Sequence, residues 1–294
     1  MKNVYLYIME DIEHNSDLLD LIKKATKYFR EHYLEERKRY LNAINSPDNK
    51  KTDDRLGLVH IYSHLDADGL TAASIIAKAL KREQVGYQIS ILKQLEKRHF
   101  HEIQENILEN KHFPIFTDFG SGQLNLFQEY VPNASYIILD HHQVLKDEDG
   151  HAFNCSGFHA NPEFVGIDGS KEISGAGMAY LFAKELNNKN IELSYIPIIG
   201  AIGDIQNTGK QKSFMGENQA ILKDAVSDSL ILKEIAPAIV RSKSLAFSLA
   251  YTLNVDIKKI KGDIRKAARF LKRINIKTKT DLGEYRTLAD LNIG

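Results

Sequence analysis

The sequence predicts an α/β fold, in which a mainly parallel sheet is flanked by helices, with a helical N-terminal extension and a helical C-terminal part. Three observations lead to this prediction. Four short β-prone runs alternate with helical periodicity between residues 58 and 139, and this alternation is typical of parallel sheets. A long amphipathic pattern precedes these runs, and mostly helical patterns follow residue 162.

The N-terminal extension is predicted to be one long helix over residues 15–44. Leu18, Ile22, Ala25 and Phe29 recur there at three- and four-residue steps among charged residues, which gives one apolar face. A polar break and connector follow up to residue 55. The predicted strands are 58–62, 87–91, 114–117 and 136–139, and the predicted helices are 70–83, 99–109, 121–130, 175–188, 216–226, 243–253 and 256–274.

The amino-acid composition excludes several classes of protein. The chain has 294 residues and 43% hydrophobic residues, enough for a globular core. Cys155 is its single cysteine, which excludes an internal disulfide framework and leads us to expect a cytoplasmic protein. The most apolar segment, 196–202, is far shorter than the ~20 residues that span a bilayer, so we expect no membrane insertion. With 39 basic and 39 acidic residues, binding of a polyanion requires a local excess of positive charge.

A first cluster of polar residues follows the first predicted strand. His64, Asp66 and Asp68 are spaced two apart, so in an extended chain their side chains share one face. Carboxylates this close repel one another unless a cation compensates, and the adjacent histidine favours a metal site. A turn at Asp68-Gly69 with helix-capping carboxylates remains an equally good interpretation.

Further candidates follow the other apolar runs. Asp118 and Asp204 each close such a run, and each taken alone is typical of a helix cap. Asp140, His141 and His142 end a buried strand, where polar side chains need partners. Together these residues form an oxygen-rich donor set that suits Mn²⁺ or Mg²⁺. Because paired divalent ions promote displacement at phosphorus, the sequence predicts phosphoester hydrolysis.

The ordered motifs at His64–Gly69, Asp118, Asp140–His142 and Gly203–Asp204 resemble the four motifs of the DHH phosphoesterase superfamily. Within it, the chain is most similar to the archaeal RecJ-like exonucleases of the GINS-associated type. The sequence patterns predict a helix and connector over 1–55 and a boundary near 280. With the resemblance, they predict a DHH catalytic domain over 56–280 and, over 281–294, a connector toward a C-terminal substrate-binding domain. The family's small C-terminal substrate-binding lobe is expected to be absent, since no motif for it follows Asp204.

The resemblance also implies a two-metal centre with two Mn²⁺ or Mg²⁺ ions. Asp118 would bridge the ions. The remaining implied metal ligands are His64 and Asp66 for one ion and Asp68, His141 and Asp204 for the other.

For catalysis, the resemblance implies that His142 contacts the scissile phosphate and that Asp140 orients an imidazole. The helix start at Ser174 and Gly175 is expected to help hold a phosphate through free backbone N–H groups. Close helix packing is an alternative reason for the glycine.

Residues 256–280 carry ten Lys or Arg and two Asp, a local net charge of +8. A solvated helix face is one interpretation, and contact with a nucleic-acid backbone is the other. The basic residues expected to contact substrate are Arg265, Lys266, Arg269, Lys272 and Arg273.

The leading hypothesis is a metal-dependent phosphodiesterase, specifically a single-strand-specific exonuclease acting on DNA or RNA. One alternative is a DHH enzyme that acts on short oligonucleotides, cyclic dinucleotides or pyrophosphate. The other is a replisome scaffold with little activity, because the resemblance implies GINS and the replicative helicase as partners.

Overall fold

A computed structural model describes residues 13–45, 57–231, 243–252 and 257–291. The chain forms two compact units, Met1–Leu232 and Lys233–Gly294. The domain limits predicted from the sequence stay predictions, because these units report packing and not function. Among the described residues, no helix is long and apolar enough to cross a membrane.

The first unit is built on a five-stranded sheet in the order β2-β1-β3-β4-β5. All four strand pairings are parallel, which confirms the predicted α/β fold. The fifth strand is an addition to the four that were predicted. The strands are β1 Val59–His64, β2 Tyr87–Leu92, β3 Phe113–Thr117, β4 Ile137–Leu139 and β5 Phe158–Ala160.

Helices cover both faces of the sheet because alternate strand residues point to opposite sides. In β1, Ile61 belongs to one buried cluster together with Phe182, whereas Tyr62 belongs to the other together with Phe100 and Phe127. The helices of this unit are α1 Ser16–Phe29, α2 Glu35–Ile44, α3 Ala67–Arg82, α4 Lys97–Leu108, α5 Leu124–Tyr130, α6 Gly175–Leu186, α7 Ile196–Gly203 and α8 Gly216–Ser227.

The long N-terminal helix is present, with one irregularity. Asn15 caps α1 by accepting from the N–H groups of Asp17 and Leu18, and a π-helical turn, Arg30–Leu34, joins α1 to α2. The buried stripe of α1 continues through this turn to Tyr33, and α2 buries none of its described residues. The connector predicted after the helix lies mostly outside the described residues, at 46–56.

The second unit contains α9 Leu245–Tyr251 and α10 Ile264–Arg273. The prediction of a helix from residue 256 is wrong at its start, because residues 258–262 form turns. Asp263 then caps α10 by accepting from the N–H of Lys266. Residue 253, the predicted end of the preceding helix, lies outside the described residues.

Candidate metal centre

The site lies at the carboxyl ends of the parallel strands, where ligands bind in open α/β sheets. His64 is the last residue of β1, and Asp66 caps α3 by accepting from the N–H of Gly69 at 3.0 Å. Asp118 directly follows β3, and Asp140 directly follows β4. Strand ends therefore bring together polar residues from three separate segments of the sequence.

Asp118 is the centre of the cluster. Its side chain is 1% exposed, and its backbone has a left-handed φ of 61°. Few residues adopt this region, although aspartate is enriched there. The backbone N–H of Asp118 donates to the carbonyl oxygen of Leu139 at 3.0 Å, which ties the turn after β3 to the end of β4.

Asp68 is fully buried and is held by the start of α6. The N–H groups of Gly175 and Ala176 donate to its two carboxylate oxygens at 2.6 and 3.1 Å. Ser174 caps this helix through the N–H of Gly177. At Ser174 and Gly175, where the sequence predicted contact with a phosphate, the backbone N–H of Gly175 donates to the carboxylate of Asp68.

His141 faces three carboxylates through one ring nitrogen. Its Nδ1 donates to the carbonyl oxygen of Gly169 at 2.7 Å, so Nε2 is the nitrogen left to face the cluster. Nε2 lies 3.1 Å from Asp118, 3.3 Å from Asp204 and 3.5 Å from Asp68. Asp204 reaches this position from the C-terminal end of α7.

The candidate ligands fall into sets whose donor atoms lie within 4.8 Å of one another. The structure thus brings together all six metal ligands expected from the sequence, with Asp118 close to both groups. Among the described residues, the sets are His64 with Asp66 and Asp118, Asp68 with His141 and Asp204, and Asp118 with Asp140, His141 and His142.

The electrostatics of the cluster fit divalent cations. Burial, followed by the negative charges of Asp68 and Asp140, raises the pKa of Asp118 far above its usual value. Burial and the charge of Asp68 also raise the pKa of Asp204. His64 Nδ1 lies 2.7 Å from Asp66 Oδ2, whereas Asp118 Oδ2 is buried and has no hydrogen-bond partner among the described residues. Close carboxylates with unused acceptor atoms are the donor set that Mn²⁺ or Mg²⁺ requires.

Asp140 holds His142 and is itself fully buried. Its carboxylate accepts from Nδ1 of His142 at 2.8 Å, from the backbone N–H of His142 at 3.2 Å, and from the N–H groups of Ser121 and His141 at 2.8 Å. Although burial would raise the pKa of Asp140, these contacts with His142 lower it. The same hydrogen bond raises the pKa of His142, whose side chain is 53% exposed.

The structure adds residues that the sequence analysis did not assign to the site. Asn161 donates to the carbonyl oxygen of His142 at 2.8 Å, and Gln206 contacts Gly169. Gln206 lies two residues after the candidate ligand Asp204, whereas Asn161 lies 19 residues after His142. A cavity of about 510 Å³ opens beside the cluster; its lining includes His141, His142, Gln143, Asp168, Ser170 and Asp204.

The five basic residues expected to contact substrate lie on α10, in the second unit. All five are exposed, whereas Ala267 and Leu271 on the same helix are buried. The exposed residues are Arg265, Lys266, Arg269, Lys272 and Arg273.

Comparison with known proteins shows what this chain is similar to. Residues 58–201 match the DHH family, N-terminal domain. The chain is 32% identical over 191 residues to the protein MJ0831 of Methanocaldococcus jannaschii, covering 65% of this chain and 42% of that protein.

Two solved structures share the fold. The exonuclease RecJ bound to manganese is 19% identical with a TM-score of 0.50, covering 90% of this chain and 58% of that one. CDC45 from Entamoeba histolytica is 15% identical with a TM-score of 0.51, covering 88% and 54%. The chain thus spans less than two thirds of the length of each of these relatives. Residues 58–201 of the chain thus match the DHH family domain, and the chain has a RecJ-like fold.

Proposed function

We propose that this protein is a divalent-metal-dependent phosphodiesterase that digests single-stranded DNA or RNA as an exonuclease. The observation that carries the proposal is the convergence of Asp68, Asp118 and Asp204 on Nε2 of His141 within 3.5 Å. Such a cluster is unfavourable without cations and well suited to them. The match of residues 58–201 to the DHH family supports the same reaction class.

The proposed cofactors are two Mn²⁺ or Mg²⁺ ions. Asp118 would contribute to both positions, with His64 and Asp66 on one side and Asp68, His141 and Asp204 on the other. The manganese in the RecJ structure with the same fold supports this choice of metal. When bound, such ions polarise phosphoryl oxygens and lower the pKa of bound water.

In the proposed mechanism, His142 contacts the scissile phosphate. Because Asp140 occupies Nδ1 of His142, Nε2 is the atom that can donate to a phosphoryl oxygen. The buried Asp140 carboxylate stabilises the protonated imidazole, which in turn stabilises negative charge developing on the phosphate. The backbone N–H groups of Ser121 and His141 keep Asp140 in place.

The proposed polymer substrate is supported by the exposed basic face of α10. Five Lys or Arg side chains on one helix suit a phosphate backbone and carry no base specificity. An alternative substrate is a short oligonucleotide, a cyclic dinucleotide or pyrophosphate, for which this face would not be needed.

The test is digestion of end-labelled single-stranded DNA and RNA with Mn²⁺, beside a dinucleotide. We expect stepwise products from the long strands, and loss of digestion with an unchanged circular dichroism spectrum in Asp118→Asn. Undiminished digestion by Asp118→Asn overturns the proposed site. Cleavage of the dinucleotide alone favours the alternative substrate class.

A second candidate function is a replisome scaffold that binds GINS and the replicative helicase. The fold similarity to CDC45 is the observation that favours it. A pull-down with GINS combined with a Mn²⁺ titration separates the two functions. Capture of GINS without Mn²⁺ binding at millimolar concentration supports the scaffold, whereas Mn²⁺ binding supports the enzyme.

A further inference from the structure

A chain of buried hydrogen bonds runs behind His141, on the side of the ring away from the carboxylates. Nδ1 of His141 donates to the carbonyl oxygen of Gly169 at 2.7 Å. Nε2 of Gln206 donates to the same oxygen at 2.9 Å. Asn218 then donates its Nδ2 to Oε1 of Gln206 at 2.6 Å. Gln206 and Asn218 are each 1% exposed, so these bonds are shielded from water.

The direction of these bonds is fixed by the atoms at their ends. The amide nitrogen of Gln206 faces two carbonyl oxygens, those of Gly169 and Ile173 at 2.9 and 3.3 Å. Carbonyl oxygens only accept, so the nitrogen must point towards them. The oxygen of Gln206 must then face Asn218, which supplies the N–H it needs.

The segment that carries Gly169 is held at two points. Besides its side-chain bond, Asn218 donates its backbone N–H to the carbonyl oxygen of Glu172 at 2.7 Å. A β-carbon at Gly169 would overlap the carbonyl oxygen of His141. The backbones at Gly169 and His141 are therefore packed directly against each other, with no space for a side chain at residue 169. Helix α8 and Gln206 therefore fix the acceptor against which the His141 ring is oriented.

We propose that Gln206 and Asn218 are positioning residues for the metal ligand His141. They hold the Gly169 carbonyl where it keeps the proton of His141 on Nδ1 and presents Nε2 to the carboxylates. Hydrogen-bond partners of this kind fix the ring orientation of metal-bound histidines. The inference rests on the proposed function in one respect, namely that His141 binds a divalent cation.

The test is the Mn²⁺ affinity, measured by electron paramagnetic resonance of the free ion, with no substrate present. Gln206→Met removes the hydrogen bonds to Gly169, Ile173 and Asn218 at similar side-chain volume, and we expect Mn²⁺ affinity to fall about 10–100-fold. Asn218→Ala, a milder change, should give an intermediate loss and keeps the test valid if Gln206→Met does not fold.

The matched control is Asn190→Ala. Asn190 is also a fully buried amide, and it donates to the carbonyl oxygen of Ala183 at 2.7 Å, outside the metal site. A purely structural role predicts that all three variants lose stability in urea and keep their Mn²⁺ affinity, and that result overturns the inference. A wild-type protein that binds no Mn²⁺ instead overturns the proposed function, and the inference with it.

Discussion

A β-carbon on Gly175, the first residue of α6, would lie only 2.6 Å from Oδ1 of Asp118. Any side chain larger than that of glycine would therefore collide with this carboxylate. The N–H of the same Gly175 donates to Asp68. One position thus controls the packing of two candidate metal ligands.

The Gly175→Ala variant is expected to weaken Mn²⁺ binding at least about 10-fold, because the new methyl group displaces Asp118. Isothermal titration of the metal-free protein measures the change. The control is Gly122→Ala, since a β-carbon at Gly122 meets no atom within 4 Å. Equal Mn²⁺ affinity in the two variants would show that this close approach does not matter.

Asp140→Asn is expected to lower kcat about 10–100-fold while Mn²⁺ affinity changes little. The amide keeps one acceptor oxygen but removes the charge that stabilises protonated His142. Steady-state digestion of single-stranded DNA measures kcat, and metal titration supplies the control. A kcat equal to wild type would remove His142 from the proposed mechanism.

His14, which lies two residues before α1, forms ion pairs with two carboxylates of α8. Its Nδ1 lies 2.8 Å from Glu217 and its Nε2 lies 3.1 Å from Asp224, while Lys184 also contacts Asp224 at 2.7 Å. Burial lowers the pKa of His14, but the two carboxylates outweigh it and raise the pKa to about 9. Protonated His14 therefore stabilises the folded state.

This stabilisation is complete below the ordinary histidine pKa of 6.5 and is lost as pH rises through about 9. We expect the free energy of unfolding to fall by the order of 1–2 kcal/mol across that window, allowing for partial exposure. Urea unfolding at several pH values measures it. His14→Gln should lack this fall, and the same pH dependence in both proteins would contradict the assignment.

Replacing Arg269, Lys272 and Arg273 together by alanine is expected to weaken binding of single-stranded DNA and to flatten its salt dependence. The slope of log affinity against log salt should drop by about 0.7 for each phosphate that the helix no longer neutralises. Fluorescence anisotropy at several salt concentrations measures the slope. The control removes the same charge at Lys23, Lys24 and Lys27 on α1, and an equal effect in both variants would contradict a specific role for α10.

Most of the site could be predicted from the sequence because His64, Asp118 and Asp140 lie at the ends of apolar strands, and parallel strands end at one edge. Asp204 follows an apolar run that forms helix α7 instead. The hydrogen bonds that hold the site residues in place could not be predicted in this way. Gln206 reaches Gly169 across 37 positions, and Gly175 reaches Asp68 across 107, distances over which no local pattern operates. Strand β5 is three residues long, too short for alternation to be recognised. Helix α10 starts at the cap residue Asp263. The sequence analysis placed this start too early because the apolar periodicity already begins before Asp263.

The left-handed backbone of Asp118 decides which substitutions there can be interpreted. Asparagine tolerates this conformation as aspartate does, whereas alanine adds a steric cost of about 1–2 kcal/mol. Asp118→Asn therefore removes the charge alone, while Asp118→Ala also strains the turn after β3. An inactive alanine variant would mix a chemical loss with a folding defect, and the asparagine variant keeps the two apart.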